Sequence, residues 1–167
     1  IFEKALGPEH PDVAQSLHNL AEMYRGTGQY AKAEPLSQRS LAIREKALGP
    51  EHPDVALSLN GLAALEAAQR RFGLASRLYK RGLLVQDLHI QNVFNITTEA
   101  EKLNFIESLS GDYQAYLSLI HQHLNANMEA VRDGFELVLR RKGVVFDAQS
   151  RTRESVRGRL SETGRKE

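Results

Sequence analysis

Lys4-Ala5-Leu6-Gly7-Pro8-Glu9-His10-Pro11-Asp12-Val13-Ala14 returns unchanged from Lys46 to Ala56, 42 residues further on. The register holds beyond this stretch. Ser16, Leu17, Leu20, Ala21, Ala33, Leu36, Arg39 and Leu41 meet the same residues at Ser58, Leu59, Leu62, Ala63, Ala75, Leu78, Arg81 and Leu83. Self-similarity at one fixed spacing marks stacked supersecondary units, each unable to bury its apolar face alone.

Inside a unit the apolar period is helical. Val13, Leu17, Leu20, Met23 and Tyr24 step by three and four, and so do Tyr30, Ala33, Leu36, Ser40 and Leu41, which predicts two amphipathic helices per unit. Gly26-Thr27-Gly28-Gln29 separates them with the backbone freedom of a tight turn. Gly7 and Gly49 stand where a second helix needs a left-handed terminating residue, and Pro8 and Pro50 forbid its continuation. His10-Pro11-Asp12 starts the next helix, with Pro in the first turn and a carboxylate at the positive end of the helix dipole.

Leu20-Ala21, Tyr24, Gly28, Tyr30, Ala33 and Leu41 resemble the tetratricopeptide signature, in the 42-residue form found in kinesin light chains and many bacterial proteins. Leu62-Ala63, Phe72, Ala75, Tyr79 and Leu83 resemble it again. Ser37 and Ser40 depart from the pattern in the first unit, and Glu66 and Arg70 in the second. Ile1 and Glu3 to Leu6 match Ile43 and Glu45 to Leu48, the end of a second helix, so a further repeat is expected upstream.

The repeat stops after Val85. Residues 1–86 are therefore assigned to repeats, 87–97 to a connection, read either as a loop or as a continuation of the preceding helix followed by a loop, and 98–167 to a helical segment linking to a downstream domain. Thr97-Thr98 caps a helix bearing Ala100, Leu103, Ile106 and Leu109, and Ser110-Gly111-Asp112 interrupts it. Tyr113, Tyr116, Leu117, Ile120 and Leu124 form another stripe, and Asn125-Ala126-Asn127 restarts a helix carrying Met128, Val131, Phe135 and Val138. Glu99 to Leu103, Ala130-Val131-Arg132 and Glu136 to Gly143 are similar to the segment preceding the caspase-like peptidase domain of bacterial TPR-CHAT proteins. That resemblance implies a downstream peptidase domain with a His and Cys pair. No catalytic residue transfers to this chain, which has no Cys. The expected fold is all-α: a tetratricopeptide helical-hairpin solenoid followed by a small helical bundle.

The chain carries 22 basic and 21 acidic residues and is 41% hydrophobic, with its apolar residues in short periodic groups. No membrane span is expected. Without Cys there is neither a disulfide nor a thiolate metal site, and Ile1-Phe2-Glu3-Lys4 has no signal-peptide character, so the expected location is the cytoplasm. The basic excess beyond residue 132 is interrupted by Glu136, Asp147, Glu154 and Glu162 and has no aromatic platform, which argues against nucleic acid. His10 and His52 recur at a helix junction and read as structural. His121 and His123 point about 200° apart on a helix and cannot chelate one ion. No catalytic residue, metal site or cofactor is expected.

Stacked hairpins do create a concave surface lined by the first helix of each unit. The signature places Gln15, His18, Asn19, Glu22 and Arg25 there, with Leu57, Asn60, Ala64 and Ala67 from the second unit. In the resembled family such positions bind extended or helical segments of partner proteins, and Asn19 and Asn60 are the leading candidates because an amide both donates and accepts. The competing reading is a groove covered by the chain's own later helices, within a linker that touches a downstream peptidase domain. Phe135, Leu137, Val138, Leu139, Val144, Val145 and Phe146 point to nearly every side of the last helix, whose remaining surface is expected to be covered by a partner, a second copy or a following domain.

Overall fold

The computed structural model describes residue 3, residues 6–93 and residues 110–143. Among the described residues every regular element is a helix: α1 (Pro11–Gly26), α2 (Tyr30–Leu48), α3 (Pro53–Ala68), α4 (Phe72–Val93) and α5 (Ser110–His123), then α6 over residues 128–143. α1 packs on α2 and α3 on α4, and α2 joins the two hairpins by lying against α3.

The repeated junction works as a helix start. The Nδ1 atoms of His10 and His52 accept the backbone N–H of Asp12 at 3.2 Å and of Asp54 at 3.1 Å, so a histidine serves as N-cap in both units. Pro11 and Pro53 follow in the first turn, where a missing N–H costs nothing. The hairpin turns also repeat. The N–H groups of Gln29 and Arg71 donate to the carbonyls of Tyr24 at 2.8 Å and Glu66 at 2.9 Å. Both turns need a left-handed residue; Gly28 supplies it at φ 73°, and Arg70 is forced into it at φ 61°.

Burial follows from neighbours rather than from residue type. Leu62 and Leu65 of α3 are 6% and 1% exposed, packed with Ala21 and Ala33 of the first hairpin. Their counterparts 42 positions earlier, Leu20 and Met23, are 37% and 56% exposed, because no described element lies on that side of α1.

Of the two readings of residues 87–97, the described part follows the helical continuation: α4 runs to Val93. Leu83, Asp87 and Ile90 extend one buried stripe at steps of four and three, and that burial holds the backbone helical. Ser110-Gly111-Asp112 begins α5, with Asp112 in its first turn. The expected helix around Leu103 and Ile106, the stretch 94–97 and everything from Val144 onward lie outside the described residues.

Within the segment after the repeats, the described α5 and α6 form a third hairpin stacked on the second. Tyr116, Leu119 and Ile120 of α5 and Ala130 and Leu137 of α6 share a core with Ala63, Ala75, Tyr79 and Leu83. Asn127 caps α6 by accepting the N–H of Ala130 at 3.1 Å. Gly134 lets α6 approach so closely that a Cβ there would stand 2.7 Å from the Ile120 side chain. Lys80 of α4 pairs with Asp133 of α6 at 2.7 Å, and the Arg141 guanidinium lies 4.8 Å over the Tyr113 ring.

Candidate partner-binding groove

α3 lies beside α1 because Gly61 removes the side chain that would separate them. A Cβ at Gly61 would meet His18 Cε1 at 2.9 Å and Glu22 Oε1 at 3.3 Å. His18 is consequently half-buried, and burial first, then the nearby Arg44 guanidinium, hold its pKa below the ordinary 6.5.

One hydrogen-bonded chain organises the α1 side. Arg44 of α2 is 1% exposed and has no carboxylate within ion-pair distance among the described residues. Its guanidinium donates instead to the Asp54 carbonyl at 3.0 Å, the Ser58 hydroxyl at 2.8 Å and Gln15 Oε1 at 2.6 Å. Gln15 then donates through Nε2 to Asn19 Oδ1 at 2.8 Å. With that oxygen engaged, exposed Asn19 presents its amide N–H groups outward. Glu22 is locked by Arg25, whose Nη2 and Nε donate to it at 2.6 and 3.1 Å, and this bonding raises the arginine's pKa.

On the α3 side Leu57 is 43% exposed, and Ala64 and Ala67 are half-buried. Asn60 must be corrected as a groove contact. It is 3% exposed, its Nδ2 donates to Asp112 Oδ2 at 2.7 Å, and Gln86 donates to the same oxygen at 3.0 Å. The cause is α5, whose first turn brings Asp112 over the amide. Gly82 permits this geometry, since a Cβ there would fall 2.2 Å from Asn60 Oδ1. Of the sequence-derived candidates, Gln15, His18, Asn19, Glu22 and Arg25 form one continuous face of α1, and Asn60 is sealed behind α5.

Between α3 and α5 a cleft of about 250 Å³ remains, lined by Ala64, Ala67, Phe72, Tyr79, Leu119 and His123 among others. The rings of Phe72 and His123 stack across it at 3.9 Å and 3°. Tyr79 is raised to about 12, chiefly by burial and then by Asp112, so its hydroxyl stays protonated. Sequence reasoning missed Arg44, Asp112 and His123 as parts of this region. The repeat did carry a signal for the first: Arg44 and Gln86 occupy the same position in successive units, and each reaches the first helix of the hairpin after its own, Ser58 in α3 and Asp112 in α5. α5 thus takes the place of a third unit's first helix.

Among the described residues no group of three or more His, Cys, Asp or Glu could hold a metal ion, and no helix is long and apolar enough to cross a membrane. The family described as tetratricopeptide repeat matches residues 1–46 and, overlapping them, 12–83. No curated protein matches the chain.

Proposed function

We propose that this chain, whose residues 1–83 are tetratricopeptide repeats, is a non-enzymatic protein-binding scaffold that takes a partner segment along the α1 face and into the cleft beside α3. Repeats of this kind generally mediate contacts between proteins. The observation that carries the reading is the Arg44–Gln15–Asn19 chain: a buried cation fixes an exposed amide with its donors outward. An extended or helical segment supplies the matching carbonyl acceptor. Leu57, Ala64 and Ala67 beside it offer apolar surface for one face of that segment, and the cleft has room for one aliphatic side chain. The partner is a protein or peptide, in a cytoplasmic setting, without nucleic acid, membrane or cofactor.

A random peptide library selected on the full chain tests this. Enriched peptides should lose at least about tenfold in affinity to Asn19→Arg and to Leu57→Glu, since each places a bulky charge in the groove. They should bind normally to Arg132→Ala on the remote α6. Peptides indifferent to both groove substitutions would remove the groove from the account.

The sealing of Asn60 by the chain's own α5 favours a second reading. There the hairpins serve as a structural linker ahead of a caspase-like peptidase domain of the resembled TPR-CHAT type, and the groove is an internal surface. Under that reading the selection enriches nothing that responds to Asn19→Arg.

A further inference from the structure

The cleft between α3 and α5 contains a hydrogen-bonding group that the fold does not use. Tyr79 of α4 is 5% exposed and lines the cleft, and its hydroxyl bonds to no described residue. The ring is held by packing with Ala63, Ala75, Leu83 and Tyr116, the last at a centroid distance of 6.1 Å. The charges of Asp112 on α5 and of Arg25 and Glu22 on α1 act on the hydroxyl, which puts it on the concave side of the stack. Pushed up to about 12, chiefly by burial, it stays protonated and offers an O–H donor there.

The surroundings of that donor select what can enter. Ala64 and Ala67 of α3 and Leu119 of α5 give the cleft apolar walls around an open volume of about 250 Å³. A wholly aliphatic side chain would fit against them, but it would strip water from the Tyr79 hydroxyl and return no bond. A buried polar group left unpaired in this way weakens binding about tenfold or more. The tip of the entering side chain must therefore accept a hydrogen bond. Asp112 is the strongest charge acting on the hydroxyl, while Glu22 and Arg25 offset each other as an ion pair, so a carboxylate tip is repelled. Lysine and arginine carry donors only and leave the hydroxyl proton without an acceptor. Glutamine joins an aliphatic stem to a neutral acceptor, and its amide N–H groups can serve Ser118 and Gln122, which line the cleft on the α5 side.

We propose that the cleft recognises a glutamine side chain of the partner segment, with its methylenes between the alanines and Leu119 and its amide oxygen accepting from the Tyr79 hydroxyl. The inference rests on the groove as the partner site and adds the chemistry of one position in that partner.

A random peptide library selected in parallel on the full wild-type chain and on Tyr79→Phe tests it. The substitution removes one oxygen that bonds to no described residue and keeps the packed ring. Peptides enriched on the wild type should carry glutamine at one fixed position, and selection on Tyr79→Phe should lose that preference. Fluorescence titration of an enriched peptide then gives Kd values. Replacing its glutamine by methionine or by glutamate, both of similar size, should weaken binding to the wild type at least about tenfold. On Tyr79→Phe the methionine peptide should bind within about threefold of the glutamine peptide, because the lost bond is then absent from both. Peptides that respond to Asn19→Arg and Leu57→Glu but carry no fixed glutamine, or a glutamine preference that survives Tyr79→Phe, would overturn this inference and leave the groove standing. Peptides indifferent to both groove substitutions would overturn the two together.

Discussion

His52 does the work that serine or aspartate does at most helix starts: its ring nitrogen accepts an N–H that would otherwise lack a partner. His52→Ala should therefore cost about 1 kcal/mol, and His52→Asn only a few tenths, because an amide oxygen can take over the bond. Chemical denaturation of both variants checks this; equal losses would mean that the cap contributes nothing. Arg70 poses the opposite case. It holds the left-handed conformation that Gly28 supplies in the first unit. Arg70→Gly should stabilise the chain by about 0.5–1 kcal/mol, the relief of strain being partly offset by glycine's freedom in the unfolded state. An unchanged or lower melting temperature would contradict it. His18 gives a pH dependence. Its folded pKa lies below its unfolded value, so the folded state resists protonation. Its contribution to stability is complete above about pH 6.5 and is lost as the pH falls from there toward the folded value. Burial raises the pKa values of Glu66 and Asp87, which act in the opposite sense but are present in both proteins when wild type is compared with His18→Gln. The stability of wild type relative to that variant should fall between pH 7.5 and pH 5; parallel profiles would exclude the effect.

Each helix is read by what lies next to it. Leu65 and Met23 hold the same place in successive units, yet only Leu65 has a hairpin over it. Leu65→Ala should cost about 3 kcal/mol through lost burial and the cavity left behind, whereas Met23→Ala should cost less than about 1 kcal/mol in this chain. Similar losses at the two sites would refute the assignment of Leu20 and Met23 to an open face. α1 to α4 were legible because the 42-residue copy fixed their starts, turns and inward faces twice over. The end of α4 stayed open between helix and loop, since Gln86 and Asp87 break the apolar period on the stripe that α5 covers. For the candidate groove, the sequence made legible only that Gln15, His18, Asn19, Glu22 and Arg25 share one face of α1. No local pattern around Asn60 shows that Asp112, 52 positions away, will close over it.

At the scale of the molecule, three hairpins stack in sequence, although only the first two share a repeat. α5 makes the contacts that a third repeat's first helix would make, and the α1 face and the cleft beside Phe72 and His123 are where the proposed function seats a partner. The central claim is that the partner lies along α1, held by an amide that buried Arg44 orients. Amide chemical shifts of the isotope-labelled chain, followed as a selected peptide is added, test it most directly. The account predicts perturbations concentrated from Gln15 to Arg25 and at Leu57, Ala64 and Ala67, all reduced by Arg44→Met. Perturbations confined to the outer sides of α2 and α4, or unaltered by that substitution, would contradict it.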